Sequence, residues 1–533
     1  MPRDFHQPGR SLAVGDQGMV ATSHPQATLA GLEILKSGGN AVDAAIAAAA
    51  VQTAVDPAMT GIAGDAFVLF APANRAGTAN PVIALNGNGK APAATDAAAL
   101  RAQGLSEIPQ TSPHAVTVPC GVATWFALQE RFGTKSMAEI LAPAIAQAAG
   151  GFRITPRVAA DFAANSGILA ANSAASANYL PGGRVPGLGD RLQLPHLAQT
   201  LRVLAKDGAK AFYEGALAEA MVASLRAAGG CHTLDDFAGA QCFESAPIAS
   251  TYRDLTLTQC PPSGQGIIAL LLLNILEGCE LRDLDPNGPE RLHLEAEATK
   301  LAFLERQTHL ADPDFANVPI EQLLSKEFAA GLRAKIDPNV AAIPTASAIN
   351  GHEDTIYLTV VDRDLNAVSF IQSLYSSFGT GIACPETGVL FHCRGRGFTL
   401  EAGHKNELAA GKRPMHTIIP GMALKDGKAA ISYGVMGADY QPVGHAHVIS
   451  NIVDYGMDVQ AALDAPRVMA YPHDLEIEAT LPESTRRKLA AMGHDVVVPD
   501  MPMGSGQAIM IDYERGVLLG GGDHRKDSVA MGL

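Results

Sequence analysis

The sequence predicts a globular protein that mixes α-helices with β-strands, and three stretches indicate this. Two strand-like runs flank a polar turn at residues 362–366, a pattern typical of a β-hairpin. Residues 30–48 are alanine-rich and helix-like. The unbroken apolar run at residues 267–273 is too short to span a bilayer and is typical of a buried helix.

The composition is that of a chain with one large core. Its 533 residues are 47% apolar and 17% charged, which is enough apolar material for extensive burial. Length alone would suggest three or four domains, but no linker divides the sequence. The most linker-like run is residues 337–350.

The net charge excludes two classes of partner, and the N-terminus and the cysteines indicate a cellular compartment. The formal net charge is −15 and no basic cluster is present, which argues against nucleic acid or an anionic membrane as a partner. The N-terminus lacks the apolar core of a signal peptide, and the seven cysteines include no C-x-x-C pair. We therefore expect a cytoplasmic protein with reduced thiols.

No sequence motif predicts a cofactor or a metal. The sixteen histidines form no H-E-x-x-H motif, and we interpret His445 and His447 as a helix-surface feature instead of a ligand set. There is no P-loop, and the Gly-rich run near Gly520 lacks the helix that a dinucleotide-binding motif requires.

The dipeptide Asp354-Thr355 carries the strongest functional signal. A polar, loop-like stretch, residues 349–354, stops there and an apolar strand begins, as at the scissile bond of a self-cleaving precursor. If the bond broke, Thr355 would gain a free α-amine able to deprotonate its own hydroxyl, with an unperturbed pKa of roughly 7.7 to 8.0. The alternative is that Thr355 is only a β-branched residue that starts a strand.

The surrounding motifs favour the first interpretation. They occur in a fixed order: G-G-N-A-V-D-A-A (38–45), H-L-E-A-E-A-T-K-L-A-F (293–303), D-P-D-F (312–315), Asp354-Thr355, G-K-R-P-M-H-T-I-I-P (411–420) and G-V-M-G-A-D (434–439). From about Val20 to its C-terminus the chain resembles the γ-glutamyltransferase family of N-terminal-nucleophile hydrolases. The resemblance implies an α/β (α+β) fold, a four-layer αββα sandwich.

The resemblance also implies how the chain is divided. Cleavage before Thr355 would leave a large subunit, residues 1–354, and a small subunit, residues 355–533, which form one intertwined domain. Further association into a dimer of heterodimers is the expected assembly.

Four catalytic residues follow from the family pattern. Thr355 would be the nucleophile, and Ser373 on the neighbouring strand would hydrogen-bond its oxygen. The backbone amides of Gly437 and Ala438 would stabilise the oxyanion. The family has a second glycine at the last position, so we expect Ala438 to serve with a negative φ.

In the family, a set of residues binds the α-carboxylate and the α-amine of the γ-glutamyl substrate. Those residues are replaced here. The family's arginine corresponds to Asn88, its amine-binding trio to Tyr375, Arg394 and Gly397, and its serine pair to His416-Thr417. An ammonium group would be repelled by an arginine, so glutathione is expected to be a poor substrate.

We instead expect Arg394 to bind an anionic acyl group, in a pocket without a fixed carboxylate. In the alternative placement, Arg394 faces solvent or forms a salt bridge with Asp439. Residues 398–412 are shorter than the family's usual lid, which favours hydrolysis over transfer.

These departures resemble a divergent branch of the family that includes oxamate amidohydrolase and cephalosporin or glutaryl acylases. The sequence therefore predicts an amidohydrolase for a small anionic amide such as oxamate. The alternatives are a γ-glutamyl hydrolase or transferase acting on glutathione-like compounds, a cephalosporin or glutaryl acylase, and an uncleaved, catalytically silent binding protein.

Overall fold

The computed structural model describes residues 9–342 and 355–533. Its strands are β1 Ala13–Gly15, β2 Gly18–Thr22, β3 Asp65–Ala71, β4 Ile83–Gly87, β5 Phe152–Arg153, β6 Arg191–Leu192, β7 Phe243–Ser245, β8 Ile248–Tyr252, β9 Leu255–Gln259, β10 Ile356–Asp362, β11 Ala367–Ser373, β12 Gly421–Lys425, β13 Lys428–Met436, β14 Val468–Ala470, β15 Leu475–Ile477, β16 Val496–Val497, β17 Ser505–Asp512, β18 Val517–Gly522 and β19 Val529–Gly532.

The helices of the described residues are α1 Pro25–Lys36, α2 Ala41–Val55, α3 Ala97–Ala102, α4 Gly121–Phe132, α5 Met137–Gly150, α6 Pro156–Ala170, α7 Ser173–Tyr179, α8 Pro195–Asp207, α9 Lys210–Tyr213, α10 Ala216–Ala227, α11 Leu234–Ala238, α12 Gly266–Glu277, α13 Pro289–His309, α14 Ile320–Leu324, α15 Lys326–Arg333, α16 Gln441–Val453, α17 Val459–Asp464 and α18 Glu483–Ala491.

Two seven-stranded sheets form the centre of the molecule. One has the order β1-β18-β17-β13-β12-β9-β8, and the other has the order β19-β2-β10-β11-β3-β4-β7. A layer of apolar side chains, including Phe67, Tyr357, Met422 and Ile509, fills the space between them. Helices α1 and α2 cover the second sheet, and α12, α16 and α17 cover the first. This is the predicted αββα sandwich.

The predicted hairpin is confirmed. Strands β10 and β11 pair antiparallel, from Ile356 with Gln372 to Val361 with Ala367. Strand β10 also pairs with β2 on its other side, and β11 pairs with β3. The strand that follows Thr355 is therefore central in its sheet, with a paired strand on each side.

The predicted helix over residues 30–48 is wrong in one respect, because it is two helices. Helix α1 ends before Gly38, whose φ of +88° favours glycine. Asn40 then caps α2, since its side-chain oxygen accepts from the amides of Val42 and Asp43. Every residue of α2 is buried, which matches a helix surface that is apolar on all sides except at Asp43, Gln52 and Thr53.

The interpretation of His445 and His447 as surface residues is also wrong. Both lie on α16, and both are buried. The Nδ1 atom of His445 is 3.1 Å from the Gln259 amide nitrogen, and that of His447 is 3.1 Å from the Glu295 carboxylate. Helix α16 is packed between a sheet and α12, so it has no solvent face at these positions.

The predicted buried helix over residues 267–273 is confirmed within α12. Across the described parts of the chain, no helix combines the length and the apolar content that crossing a bilayer requires.

Candidate active site

A row of four polar residues crosses four adjacent strands at one end of the second sheet. Ser373 pairs directly with Asp65. Thr355 and Asn88 extend the row, each one residue beyond the paired part of its strand. Side chains of directly opposed residues share a face, and here that face is the one turned toward the other sheet. All four side chains are buried.

The Thr355 hydroxyl lies at the start of β10 and donates a hydrogen bond to the Ser373 hydroxyl, with 3.1 Å between the oxygens. The same Ser373 oxygen accepts from the backbone amide of Tyr375 at 2.7 Å. Tyr375 has a φ of +78°, an uncommon conformation for a bulky residue. The two predicted hydroxyl residues are therefore adjacent, and Ser373 is held by the turn that follows β11.

Gly437 and Ala438 form a tight turn after β13. Gly437 has a φ of +112°, and a Cβ atom there would lie 2.9 Å from Gly504 Cα. The expected negative φ of Ala438 is wrong, because its φ is +45°. The carbonyl of Ala438 accepts from the Gln265 side chain at 2.9 Å, and the amide of Tyr440 donates to the Gly437 carbonyl at 2.8 Å, so the turn is fixed from two directions.

Beside the polar row, Asp65 is surrounded by two histidines and an arginine. Its Oδ2 atom lies 3.0 Å from His416 Nε2, 3.5 Å from His392 Nδ1 and 3.5 Å from Arg394 Nε. Burial raises the pKa of Asp65 to about 7, although Arg394 opposes this. Burial lowers the pKa of His392 to about 3 and that of His416 well below its ordinary range. Both histidines are therefore neutral.

Arg394 is fully buried, so its placement in solvent is wrong. Its Nη1 donates to the Thr417 hydroxyl at 2.9 Å, and its guanidinium carbon lies 4.3 Å from the centre of the Tyr375 ring. For the other alternative, Asp439 pairs with Arg306 at 2.5 Å, and Arg394 lies beside the carboxylate of Asp65.

The expectation of a pocket without a fixed carboxylate is wrong, because Asp65 lies beside Arg394. Sequence reasoning missed Asp65 because an aspartate at the first position of an apolar strand gives no signal of its own. Its neighbour in the row, Asn88, is also buried and donates to the Ser263 hydroxyl at 2.8 Å and to the Pro414 carbonyl at 3.1 Å.

The five predicted substrate residues thus lie together in one buried polar cluster, made of Asn88, Tyr375, Arg394, His416 and Thr417 with Asp65 and His392. None of the five lines the cavity that reaches Thr355.

That cavity has a volume of about 210 Å³. Its wall includes both Thr355 and Gly437, and the side facing them is formed by α6 and the loop after β18. The remaining lining residues are Arg157, Ala160, Asp161, Ala164, Asn165, Ser377, Met436, Met501, Pro502, Gly504 and Lys526.

Three charged residues dominate this cavity. Arg157 Nε lies 2.8 Å from Asp161 Oδ1, and Lys526 Nζ lies 3.4 Å from Asp161 Oδ2. Two cations and one carboxylate give a formal net charge of +1 at neutral pH. Sequence reasoning missed all three. The available signals were the i, i+4 spacing of Arg157 and Asp161, and the charged residues that follow the Gly-rich run near Gly520.

The fold and the polar row agree with the protein family whose model matches this sequence. The model of the gamma-glutamyltranspeptidase family matches residues 27–533. The chain belongs to this family. The resemblance predicted from the motifs is confirmed, and the chain is an enzyme of a family of hydrolases and transferases.

Members of the gamma-glutamyltranspeptidase family with different names are similar to this chain over nearly its whole length. The glutathione hydrolase-like YwrD proenzyme of Bacillus subtilis is 38% identical over 98% of this chain and 99% of its own. The oxamate amidohydrolase proenzyme of Klebsiella pneumoniae is 33% identical over 97% and 99%. The crystal structure of cephalosporin acylase from Bacillus halodurans has a TM-score of 0.93 at 36% identity, covering 100% of this chain and 99% of the other.

Proposed function

We propose that this chain is a self-cleaving amidohydrolase whose nucleophile is an N-terminal threonine, and that it hydrolyses a small anionic amide such as oxamate through an acyl-enzyme. The bond cleaved in the precursor is Asp354–Thr355. Asp354 lies outside the described residues, and Thr355 is the first described residue after it.

One observation carries the proposal. The Thr355 hydroxyl, at the start of a central strand, donates to Ser373 at 3.1 Å and lines the same cavity as Gly437. A nucleophile, an orienting hydroxyl and a turn with backbone donors are the parts that acyl transfer requires.

Processing uses the same hydroxyl. Thr355 Oγ1 attacks the carbonyl carbon of Asp354, and the peptide C–N bond breaks as the acyl group moves to oxygen. Water then hydrolyses this ester, which leaves a carboxylate at residue 354 and a free amine on Thr355. The products are the large subunit, residues 1–354, and the small subunit, residues 355–533.

Turnover repeats this chemistry on the substrate. The α-amine of Thr355 takes the proton of its hydroxyl as Oγ1 attacks the amide carbonyl, and then gives it to the leaving nitrogen. Ser373 orients the hydroxyl, and amides of the Gly437-Ala438 turn stabilise the oxyanion. Water activated by the amine hydrolyses the ester and releases the acid.

The cavity favours a small anion as the acyl group. Its volume of about 210 Å³ suits a small molecule, and Arg157 and Lys526 give it a positive character. A carboxylate beside the scissile amide, as in oxamate, would gain charge-assisted hydrogen bonds from such groups. Arg394, in the buried cluster next to the polar row, is a further cation but does not line this cavity.

A second candidate, a γ-glutamyl hydrolase, is favoured by Asp65. The pair formed by Arg394 and Asp65, 3.5 Å apart, offers a cation for an α-carboxylate and an anion for an α-amine. This weakens the argument that the loss of the family's anion excludes glutathione-like substrates.

A direct comparison of substrates distinguishes the two candidate functions. We expect the processed enzyme to hydrolyse oxamate with a kcat/KM at least tenfold above that for a glutaryl amide or for γ-glutamyl-p-nitroanilide. The variant Thr355→Ala controls for contaminating hydrolases and should be inactive on all three. A γ-glutamyl amide that is preferred by orders of magnitude would replace the first candidate with the second.

A further inference from the structure

A second group of chemically reactive side chains lies outside the active site. His293 and Glu297 occupy successive turns of α13, and His494 follows α18. Their side chains are all buried, with relative exposures of 0%, 3% and 6%. One ligand atom from each of the three residues lies within 4.8 Å of the other two.

The hydrogen bonds of this trio define which nitrogen carries a lone pair. His293 Nε2 is 2.7 Å from the Asp337 carbonyl oxygen, which can only accept, so His293 donates there and its Nδ1 carries the lone pair. That Nδ1 lies 2.8 Å from His494 Nε2. The two rings therefore share a single proton between them.

A divalent metal ion is able to take the place of that proton, which then moves to His494 Nδ1 so that this ring stays neutral. Two nitrogens bound to a tetrahedral zinc ion at about 2.0 to 2.1 Å lie roughly 3.4 Å apart, so the rings need to separate by only about half an ångström. The bond from His293 Nε2 to a backbone carbonyl is the kind of outer contact that orients metal-binding histidines.

The charges at the trio also suit a metal. Glu297 supplies a negative charge, and its Oε1 is 2.6 Å from Lys300 Nζ, which leaves the carboxylate further lone pairs for an ion.

The trio and its neighbours form hydrogen bonds with residues 337–342, the last described residues before the proposed cleavage site. Besides Asp337, the amide of Ala342 donates to Glu297 Oε2 at 3.0 Å, and Lys300 Nζ donates to the Ala342 carbonyl at 2.9 Å. The amide of Ala341 donates to the Met492 carbonyl at 2.7 Å, two residues from His494. Residues on both sides of the proposed cleavage site thus meet here.

We propose that His293 Nδ1, the Glu297 carboxylate and His494 Nε2 bind one divalent ion of the zinc type, with water in the fourth position. The ion joins α13 to the segment after α18, and so joins the two segments that the proposed cleavage would separate. Binding itself does not depend on cleavage or on activity.

The test uses full-length protein freed of metal by a chelator. Zn²⁺ is titrated in competition with a chromophoric chelator, for the wild type, His494→Gln and the matched control His473→Gln, whose side chain is exposed. We expect one equivalent to bind to the wild type and to the control, and affinity to fall at least 100-fold in His494→Gln. A wild type that binds no Zn²⁺, or a His494→Gln variant with unchanged stoichiometry and affinity, would overturn the proposal.

A second measurement covers the case in which His494→Gln fails to fold. Co²⁺ added to the wild type should give the visible absorption of a four-coordinate nitrogen and oxygen site, and Glu297→Gln should abolish or shift it. Intense near-ultraviolet bands from thiolate ligands would assign the ion to cysteines and contradict the proposal.

Discussion

At the scale of single residues, the proposed activity depends first on Thr355 and Ser373. Their hydroxyl oxygens are 3.1 Å apart in a buried setting, and each comes from the end of a central strand. A serine keeps the hydrogen bond that a threonine would make at this position, with one methyl group less to pack.

At Gly437 the backbone itself is the proposed functional group. Replacement by alanine would place a Cβ 2.9 Å from Gly504 Cα at a φ of +112°, so the turn must shift and its amides move. We expect Gly437→Ala to lower kcat by about a hundredfold or more, the typical effect of losing an oxyanion donor, in steady-state assays of processed enzyme.

The matched control for Gly437→Ala is Gly403→Ala. Gly403 also has a positive φ, but no atom lies within 4 Å of the added Cβ. It should keep wild-type kcat. Equal losses in both variants would indicate general backbone strain and not a lost oxyanion donor.

Lys526 is the residue that we expect to select anionic substrates. Its Nζ lies 3.4 Å from Asp161 in the cavity with Thr355. Lys526→Met keeps the length of the side chain and removes its charge, so KM for oxamate should rise about tenfold or more, which corresponds to about 1.4 kcal/mol, with a smaller change in kcat.

Two controls accompany the Lys526 measurement. Lys206→Met removes a charge from a side chain that is 83% exposed and should leave KM unchanged. An uncharged amide substrate should respond little to Lys526→Met. An unchanged KM for oxamate would show that Lys526 does not bind the anion.

Asp65 should make stability depend on pH. Its pKa is raised from 3.8 to about 7 on folding, so between these values the unfolded chain is ionised while the folded protein keeps the proton. Unfolding then releases a proton, and stability falls as pH rises from about 4 to about 7. Thermal melting of the wild type and Asp65→Asn should show the wild type losing stability relative to the variant across this range. A constant difference between the two would contradict the assigned pKa.

At the scale of elements, β10 explains how the chain would stay folded after the proposed cleavage. It pairs with β2 on one side and β11 on the other, and β11 pairs in turn with β3. Elements from before and after residue 355 thus alternate within one sheet, and likewise in the other sheet, where β13 pairs with β12 and β12 with β9.

This alternation predicts that the two fragments remain together after processing. On size-exclusion chromatography without denaturant, fragments of residues 1–354 and 355–533 should elute as one species, and they should separate in guanidinium chloride. Fragments that part under native conditions would show that the pairing is weaker than the strand order implies.

Local patterns in the sequence were enough to predict several elements. The hairpin around residues 362–366 and the buried helix at 267–273 have local signals, namely alternation and an unbroken apolar run, and both are confirmed. The break between α1 and α2 was missed because apolar residues continue on both sides of Gly38 and hide the cap at Asn40.

At the scale of the molecule, the αββα sandwich was predicted from the family resemblance and is confirmed. The pairing of Asp65 with Ser373 could not be predicted, because residues 308 positions apart in the chain meet only through the register of β3 and β11. The same reason applies to Lys526, which reaches the cavity from the far end of the chain. Which bond is cut, and the role of each site residue, stay predictions.

The most direct test of the whole account is the intact mass and N-terminal sequence of the purified protein. We predict two chains, the smaller beginning T-I-Y-L, and a single full-length chain for Thr355→Ala. Thr355→Ser, which keeps a hydroxyl, should still be cleaved. An active wild-type preparation with no chain that begins at Thr355, or a Thr355→Ala variant that still hydrolyses amides, would contradict the account.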